Sequence, residues 1–139
     1  MGWLSKFILS AAGKKTPTVE DFLPEPYEEN VGVHLLSNYG EEYEQISPDT
    51  SKETIADLIT RLDWESYFYQ VICTIEPGVT LEVGGSLNDF DGLSAMYRNR
   101  IKNIESVIVE PPGTRKEMIE IMQSFARGNE IWHTNYAWG

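Results

Sequence analysis

The stretch Tyr67–Val83, with the sequence YFYQVICTIEPGVTLEV, decides the fold that the chain predicts. Its first part, Tyr67–Ile75, is rich in aromatic and β-branched residues, which is typical of a buried strand. Residues 76–78 (EPG) predict a tight turn, and Val79–Val83 alternates as a second strand. Because strands joined by so short a turn pair antiparallel, the stretch predicts a β-hairpin.

Two amphipathic helices are predicted on either side of this hairpin. Residues 50–53 (TSKE) and 114–117 (TRKE) both have the capping-box pattern, in which a hydroxyl and a carboxylate satisfy the first amides of a helix. Each box is followed by apolar residues at helical spacing, and Gly128 is expected to close the second helix. The two apolar stripes are Ile55, Leu58, Ile59 and Leu62, and Met118, Ile121, Met122 and Phe125.

Further strands are predicted in both directions along the chain. They span Val31–Leu36, Leu93–Arg98, Ile104–Glu110 and, at the end of the chain, Ile131–Trp138. Strands joined by short turns form an antiparallel meander. The predicted class is therefore α+β, with an antiparallel sheet of about five strands, two main helices packed on one face and a short N-terminal helix.

The length of 139 residues suits a single domain, residues 1–139, in which charge marks three segments. Residues 1–15 are basic, residues 16–49 hold nine acids and no Lys or Arg, and residues 50–139 form the predicted α+β body. We interpret residues 16–49 as an ordered acidic arm with one strand. The basic segment contains apolar residues at helical spacing, which predicts a helix docked on the body or on a partner, or attached to a membrane surface.

The overall charge excludes several classes of function. The chain has 22 acidic and 11 basic residues and a net charge of −11, whereas nucleic-acid binding and anionic membranes favour basic proteins. We therefore expect no nucleic-acid partner, and the charge disfavours a membrane partner. The single cysteine, Cys73, cannot form an internal disulfide, which favours a reducing compartment, and we expect the protein in the cytoplasm.

The sequence contains no recognisable catalytic or metal-binding pattern. His34, His133 and Cys73 show no spacing typical of a nucleophile and its base, and we interpret each as a packing residue. Residues 88–92 (NDFDG) do not match a calcium loop and are better explained as a turn. We therefore expect a protein that is not an enzyme and that holds neither a cofactor nor a metal.

A binding surface is the function that this chain favours. Tyrosines alternate with carboxylates in the acidic segment, and tyrosine supplies contact area at low entropic cost while carboxylates pair with Arg and Lys. A solvated acidic loop is the alternative explanation. The predicted partner-binding residues are Tyr27, Glu28, Glu29, Tyr39, Glu41, Glu42, Tyr43 and Glu44, together with Asp89 and Asp91 in the turn.

The second half of the chain resembles a known group of proteins. Leu81–Tyr97 (LEVGGSLNDFDGLSAMY), Pro111–Phe125 (PPGTRKEMIEIMQSF) and Ile131–Trp138 (IWHTNYAW) are similar to segments of small immunity proteins encoded beside bacterial polymorphic toxins, notably Rhs-type and other secreted toxins. The matching features are a Gly-rich turn before a strand, a proline-led capped helix and a terminal strand with tryptophans. They lie within a span of about sixty residues, 81–138, and the acidic half is not part of the resemblance.

This resemblance implies a non-catalytic cytosolic protein that neutralises a cognate antibacterial toxin. Toxins that act on nucleic acids or on NAD, such as nucleases, deaminases and ADP-ribosyltransferases, tend to have basic clefts that an acidic protein can cover. Two alternatives stay open. One is a non-enzymatic adaptor or chaperone for a secreted effector, docking through the N-terminal helix. The other is an enzyme that uses Asp89 and Asp91 for acid–base chemistry.

Overall fold

The computed structural model describes residues 25–88 and 91–139, which form four helices and six strands. The predicted N-terminal helix and the first part of the acidic segment lie outside the described residues. The helices are α1 (Pro26–Glu29), α2 (Lys52–Arg61), α3 (Arg115–Ala126) and α4 (Ile131–Thr134). The strands are β1 (Gly32–Ser37), β2 (Glu42–Ser47), β3 (Tyr69–Glu76), β4 (Val79–Gly85), β5 (Leu93–Asn99) and β6 (Ile104–Val107).

All six strands join one antiparallel sheet in the order β2-β1-β3-β4-β5-β6. The predicted hairpin of β3 and β4 lies at its centre. The six strands are close to the predicted number of about five, and the acidic segment contributes the unpredicted β2 in addition to β1. In the described residues this segment is therefore a hairpin that extends the sheet.

One face of the sheet packs against the two long helices. Val71, Leu81 and Ala95 point to this face from the three central strands and are fully buried. The predicted stripes of α2 and α3 join the same core, where their buried members are Ile55, Leu58, Ile59, Met118, Ile121, Met122 and Phe125. The arrangement of two main helices on one face of an antiparallel sheet agrees with the prediction.

The opposite face of the sheet is buried as well, but it carries polar side chains. Polar residues alternate along β3, β4 and β5 with the residues of the helix-bearing core. They are Gln70, Thr74, Thr80, Glu82 and Arg98, and each is at most 8% exposed. The alternation is the one expected for a strand, whose successive side chains point to opposite faces. This polar face is linked to α1, as described below.

The helix ends follow the predicted capping chemistry with one change. Thr114 caps α3 as predicted, since its hydroxyl accepts the Glu117 amide at 3.1 Å. At α2 the cap is Ser51 and not Thr50: the Ser51 hydroxyl accepts the Thr54 amide at 3.2 Å. The Asp49 carboxylate accepts the Ser51 amide at 3.0 Å, which is the hydrogen bond that the Glu of a capping box would make. Gly128 follows α3 with φ +74°, as the sequence predicts.

The predicted terminal strand Ile131–Trp138 is wrong. Residues 131–134 form α4, and of the predicted strand only Trp138 forms a bridge, with Ile108. Local hydrogen bonds explain the difference. The Asn129 side chain accepts the Ile131 amide at 3.1 Å, and the Ser124 hydroxyl accepts the Trp132 amide at 2.9 Å, so the chain turns back against the end of α3.

Candidate functional site

Three loops meet at one end of the sheet. The register places Ser37 of β1, Tyr69 of β3, Gly85 of β4 and Leu93 of β5 in one row across four strands. The β1–β2 turn, the segment before β3 and the β4–β5 loop therefore emerge side by side. We call this end of the sheet the hairpin end. The other end, which carries the β3–β4 turn, is called the opposite end.

The β1–β2 turn holds Tyr39 outward. Asn38 and Tyr39 have φ values of +52° and +56°, a left-handed conformation that non-glycine residues rarely adopt. The turn is closed by the Gly40 amide, which donates to the Ser37 carbonyl at 3.1 Å, and by the Asn38 side chain, which donates to Glu41 at 3.2 Å. As a result the Tyr39 ring is 52% exposed and stacks on Phe68 at 4.8 Å.

An aromatic pocket opens beside this turn. Its volume is about 390 Å³, and the Glu42 carboxylate contributes an acidic group to its lining. Tyr67, 61% exposed, forms part of the wall, with its ring 6.2 Å from that of Tyr69. The residues that line the pocket are Ser37, Asn38, Tyr39, Glu42, Ser66, Tyr67, Phe68 and Tyr69. Aromatic faces next to a carboxylate are suited to an Arg or Lys side chain.

The electrostatics of the pocket follow from burial and nearby acids. Burial, with the charge of Asp63 and then Tyr67, raises the pKa of Tyr69 above its usual value. Tyr69 therefore keeps its proton at physiological pH and contributes a neutral ring. The negative charge of the pocket comes from Glu42, whose carboxylate accepts the Ser37 hydroxyl at 3.3 Å.

Five of the ten predicted partner-binding residues lie on the β1–β2 hairpin, and two of them, Tyr39 and Glu42, line the pocket. Tyr39, Glu41, Glu42, Tyr43 and Glu44 are consecutive or nearly so along the β1–β2 hairpin, and all five are exposed. Tyr43 is 42% exposed, and its hydroxyl lies 2.9 Å from Nδ1 of His34. The structure therefore brings these five predicted residues together at the edge of the sheet.

The other predicted carboxylates of the acidic segment lie elsewhere. The Glu28 carbonyl accepts the amide of Gly78 in the β3–β4 turn, so Glu28 and Glu29 belong to the opposite end of the sheet, whereas the ring of Tyr27 lies 6.3 Å from that of Tyr43. Along β1, the row that contains Ser37 and the row that contains Gly32 are five residues apart, which is about 17 Å. Glu28 is only 1% exposed and is paired with Arg98 and Arg100. Its predicted role as a partner-facing carboxylate does not agree with this burial.

The two predicted turn aspartates have different outcomes. Asp89 lies outside the described residues. Asp91 lies at the hairpin end, where its carboxylate accepts the Asn88 amide group at 3.0 Å and the Ser86 hydroxyl at 3.3 Å. Its backbone amide donates to the Asn88 side chain at 2.8 Å. These bonds explain how Asp91 shapes the β4–β5 loop.

Sequence analysis missed the contribution of Tyr67 and Phe68, which it placed in a buried strand. The strand begins two residues later, and the preceding segment is held as a turn by Asp63. The Asp63 side chain accepts the Ser66 amide at 3.3 Å, and its carbonyl accepts the Tyr67 amide at 3.1 Å. Aspartate at the start of a turn is a signal that the sequence contains.

Of the three residues considered as a nucleophile or base, Cys73 and His34 are buried, whereas His133 is exposed. Burial raises the pKa of the Cys73 thiol to about 12, which keeps it protonated and unreactive. His34 is buried, which lowers its pKa, and its Nε2 lies 2.7 Å from the Asn30 carbonyl. His133 is 2.7 Å from Glu130, one turn earlier. In residues 25–88 and 91–139, no three His, Cys, Asp or Glu side chains are grouped to hold a metal ion.

Comparisons of the chain with protein-family models, curated proteins and solved structures find no significant match. Across the described ranges, every helix is too short or too polar to cross a membrane.

Proposed function

We propose that this protein is an immunity protein that binds and neutralises a cognate antibacterial toxin through the hairpin end of its sheet. The observation that carries the proposal is the exposed set of tyrosines and glutamates around the aromatic pocket, above all Tyr39, Tyr67 and Glu42. Exposed tyrosines next to an acidic pocket have the composition of a protein-binding surface and not of a solvated loop.

The charge of this surface favours a basic partner. Glu41, Glu42 and Glu44 lie within four positions along one hairpin, and the acidic segment that contains them has no Lys or Arg. A toxin cleft that binds nucleic acid or NAD presents Arg and Lys to the phosphates of its substrate. An acidic surface that covers such a cleft competes with that substrate, and the opposite charges speed association.

The pocket supplies specificity for a single side chain. An Arg guanidinium is planar, stacks on aromatic faces and pairs with a carboxylate through two N–H groups. Tyr39, Tyr67 and Glu42 provide both kinds of contact within one cavity. We therefore propose that an arginine of the toxin enters the pocket and that Tyr39 and Tyr67 dominate the binding energy, as aromatic residues commonly do in protein interfaces.

Co-purification tests the proposal. The chain, tagged, is expressed with the gene that neighbours its own, and the complex is analysed at low and high salt. We expect a 1:1 complex with a toxic partner whose affinity falls as salt is raised, since screening weakens charge pairing. A neighbour that is harmless or that does not bind would contradict the immunity function and favour an adaptor.

A matched pair of variants tests the surface itself. The triple change Glu41→Lys, Glu42→Lys and Glu44→Lys reverses the charge of the hairpin. The control Asp57→Lys, Glu76→Lys and Glu110→Lys makes the same change of net charge at three other exposed acids. We expect slower association and a smaller salt dependence for the first variant only. Equal effects of both variants would contradict a role for the hairpin.

A further inference from the structure

We propose that β2 binds an extended basic segment of the partner by strand addition, so that the partner's chain becomes a seventh strand of the sheet. The inference rests on the proposed function and specifies how the partner is held. Its structural basis is the outer edge of β2. This edge lies beside the aromatic pocket, and Glu42 belongs to both.

The outer edge of β2 is exposed in the part of the chain that the structure describes. β2 is the last strand on its side of the sheet, and the four residues Glu42–Gln45 are all exposed. An edge strand presents a row of backbone N–H and C=O groups that another chain can pair with. Among the described residues, β2 pairs with β1 alone.

The opposite edge of the sheet is treated differently. There the end of the chain lies along β6 and the residues that follow it. The Val107 and Gly139 backbones exchange hydrogen bonds of 3.2 and 2.8 Å, and the Val109 amide donates to the Ala137 carbonyl at 2.8 Å. The chain thus covers part of one edge with its own terminus, which leaves β2 as the more accessible edge.

The side chains of β2 define the sequence that would pair with it. Glu42 and Glu44 lie opposite Ser37 and Leu35, whereas Tyr43 lies opposite Leu36, so the two glutamates share one face and the tyrosine points to the other. Because cross-strand neighbours share a face, the added strand requires Lys or Arg at alternate positions. The positions between them face Tyr43 and suit apolar or aromatic side chains.

The same charges argue against a second copy of the chain as the occupant. Two β2 strands placed edge to edge would bring glutamates of one copy beside glutamates of the other, and like charges opposite each other are destabilising. The glutamates of β2 therefore disfavour self-association through this edge and favour a basic strand. A strand that runs along β2 past Glu42 also reaches the aromatic pocket, where its Arg side chain can bind.

A peptide experiment tests strand addition independently of any partner. The probe is Ac-KVRVKV-NH2, titrated into ¹⁵N-labelled full-length protein and followed by amide chemical shifts and hydrogen exchange. We expect shift changes centred on residues 42–47 and slower exchange of alternate amides in that strand. The control is the same peptide with every backbone nitrogen methylated, which keeps its charge and removes the backbone donors from both of its edges.

The methylated peptide should bind at least about tenfold more weakly, because several backbone hydrogen bonds are lost while the charge pairs stay. Equal binding of the two peptides, shift changes confined to another surface, or no binding of the unmethylated peptide would each overturn the proposal. If the peptide test failed in any of these ways while a stable complex with the neighbouring gene product formed, strand addition would be wrong and the immunity function would stand. Failure of the immunity function would instead show as the absence of that complex.

Discussion

The buried carboxylate of Glu28 accepts a hydrogen bond from Nη1 of Arg98 at 3.0 Å, across seventy residues of chain. Arg100 binds the same carboxylate from the neighbouring turn, and Arg98 also pairs with Glu105 of β6 at 3.0 Å. This ionic cluster ties α1 to the polar face of the sheet. It therefore anchors α1, the first described part of the acidic segment, and with it the hairpin that carries the site.

Loss of the Glu28 charge should destabilise the protein strongly. In Glu28→Gln the buried Arg98 loses its buried anionic partner and keeps only the exposed Glu105, and breaking a buried pair costs about 3–5 kcal/mol. Glu29→Gln is the control, since the adjacent side chain is exposed and its loss should change stability by less than about 0.5 kcal/mol. Urea unfolding followed by circular dichroism measures both. Equal stabilities of the two variants would show that the cluster contributes nothing.

Glu82 should make stability depend on pH. Burial raises its pKa to about 7, and Glu28 and Glu105 add to this, against the hydrogen bond from Gln70 and the charge of Arg98. The native state then binds more protons than the unfolded chain from about pH 4.5 to 7, so stability falls as pH rises through this window. The loss by pH 8 should be about 3 kcal/mol.

The variant Glu82→Gln isolates this effect. Glutamine keeps the shape of the side chain and cannot ionise, so the Glu82→Gln protein should not lose this stability as pH rises. The control Glu44→Gln, at the exposed edge, should follow the wild-type profile. Urea unfolding at pH 5 and pH 8 makes the comparison. Parallel profiles for wild type and Glu82→Gln would contradict the assignment of the pH dependence to Glu82.

The hairpin end should be sensitive to a methyl group at Gly85. This residue has φ +116°, and a Cβ there would lie 2.0 Å from the carbonyl oxygen of Gly92. Gly85→Ala should thus lower the melting temperature by several degrees, since about 1 kcal/mol shifts it by about 4 °C in a domain of this size. Gly113→Ala, which places its Cβ at an ordinary 3.6 Å contact, should cause little change. Similar melting temperatures for both would contradict the argument.

The regular elements were largely predictable and the site only in part. Periodicity identified α2, α3 and the β3–β4 hairpin because their apolar residues repeat at the helical or strand period over many residues. β2 was missed because it lies at an edge, where its exposed side chains show no apolar alternation. Composition alone also could not separate the buried Glu28 from the exposed Glu41, since burial depends on arginines seventy residues away.

Tyrosines of the pocket should dominate partner affinity. Tyr39→Ala and Tyr67→Ala remove exposed rings, and truncation of an interface hot spot costs more than about 1 kcal/mol, or at least about fivefold in affinity. Ile101→Ala is the control, because this side chain is 68% exposed in the turn at the opposite end of the sheet. Calorimetric titration with the co-purified partner compares the three. If Ile101→Ala alone lowered the affinity, the interface would lie at the opposite end of the sheet, which would contradict the prediction.

Growth rescue tests the central claim most directly. Bacteria that express the neighbouring gene receive the wild-type chain, the triple variant with Lys at Glu41, Glu42 and Glu44, or the charge-matched control with Lys at Asp57, Glu76 and Glu110. We expect the neighbouring gene to arrest growth alone, with rescue by wild type and by the control and loss of rescue in the triple variant. A harmless neighbour, or full rescue by the triple variant, would contradict neutralisation of a toxin through the hairpin end.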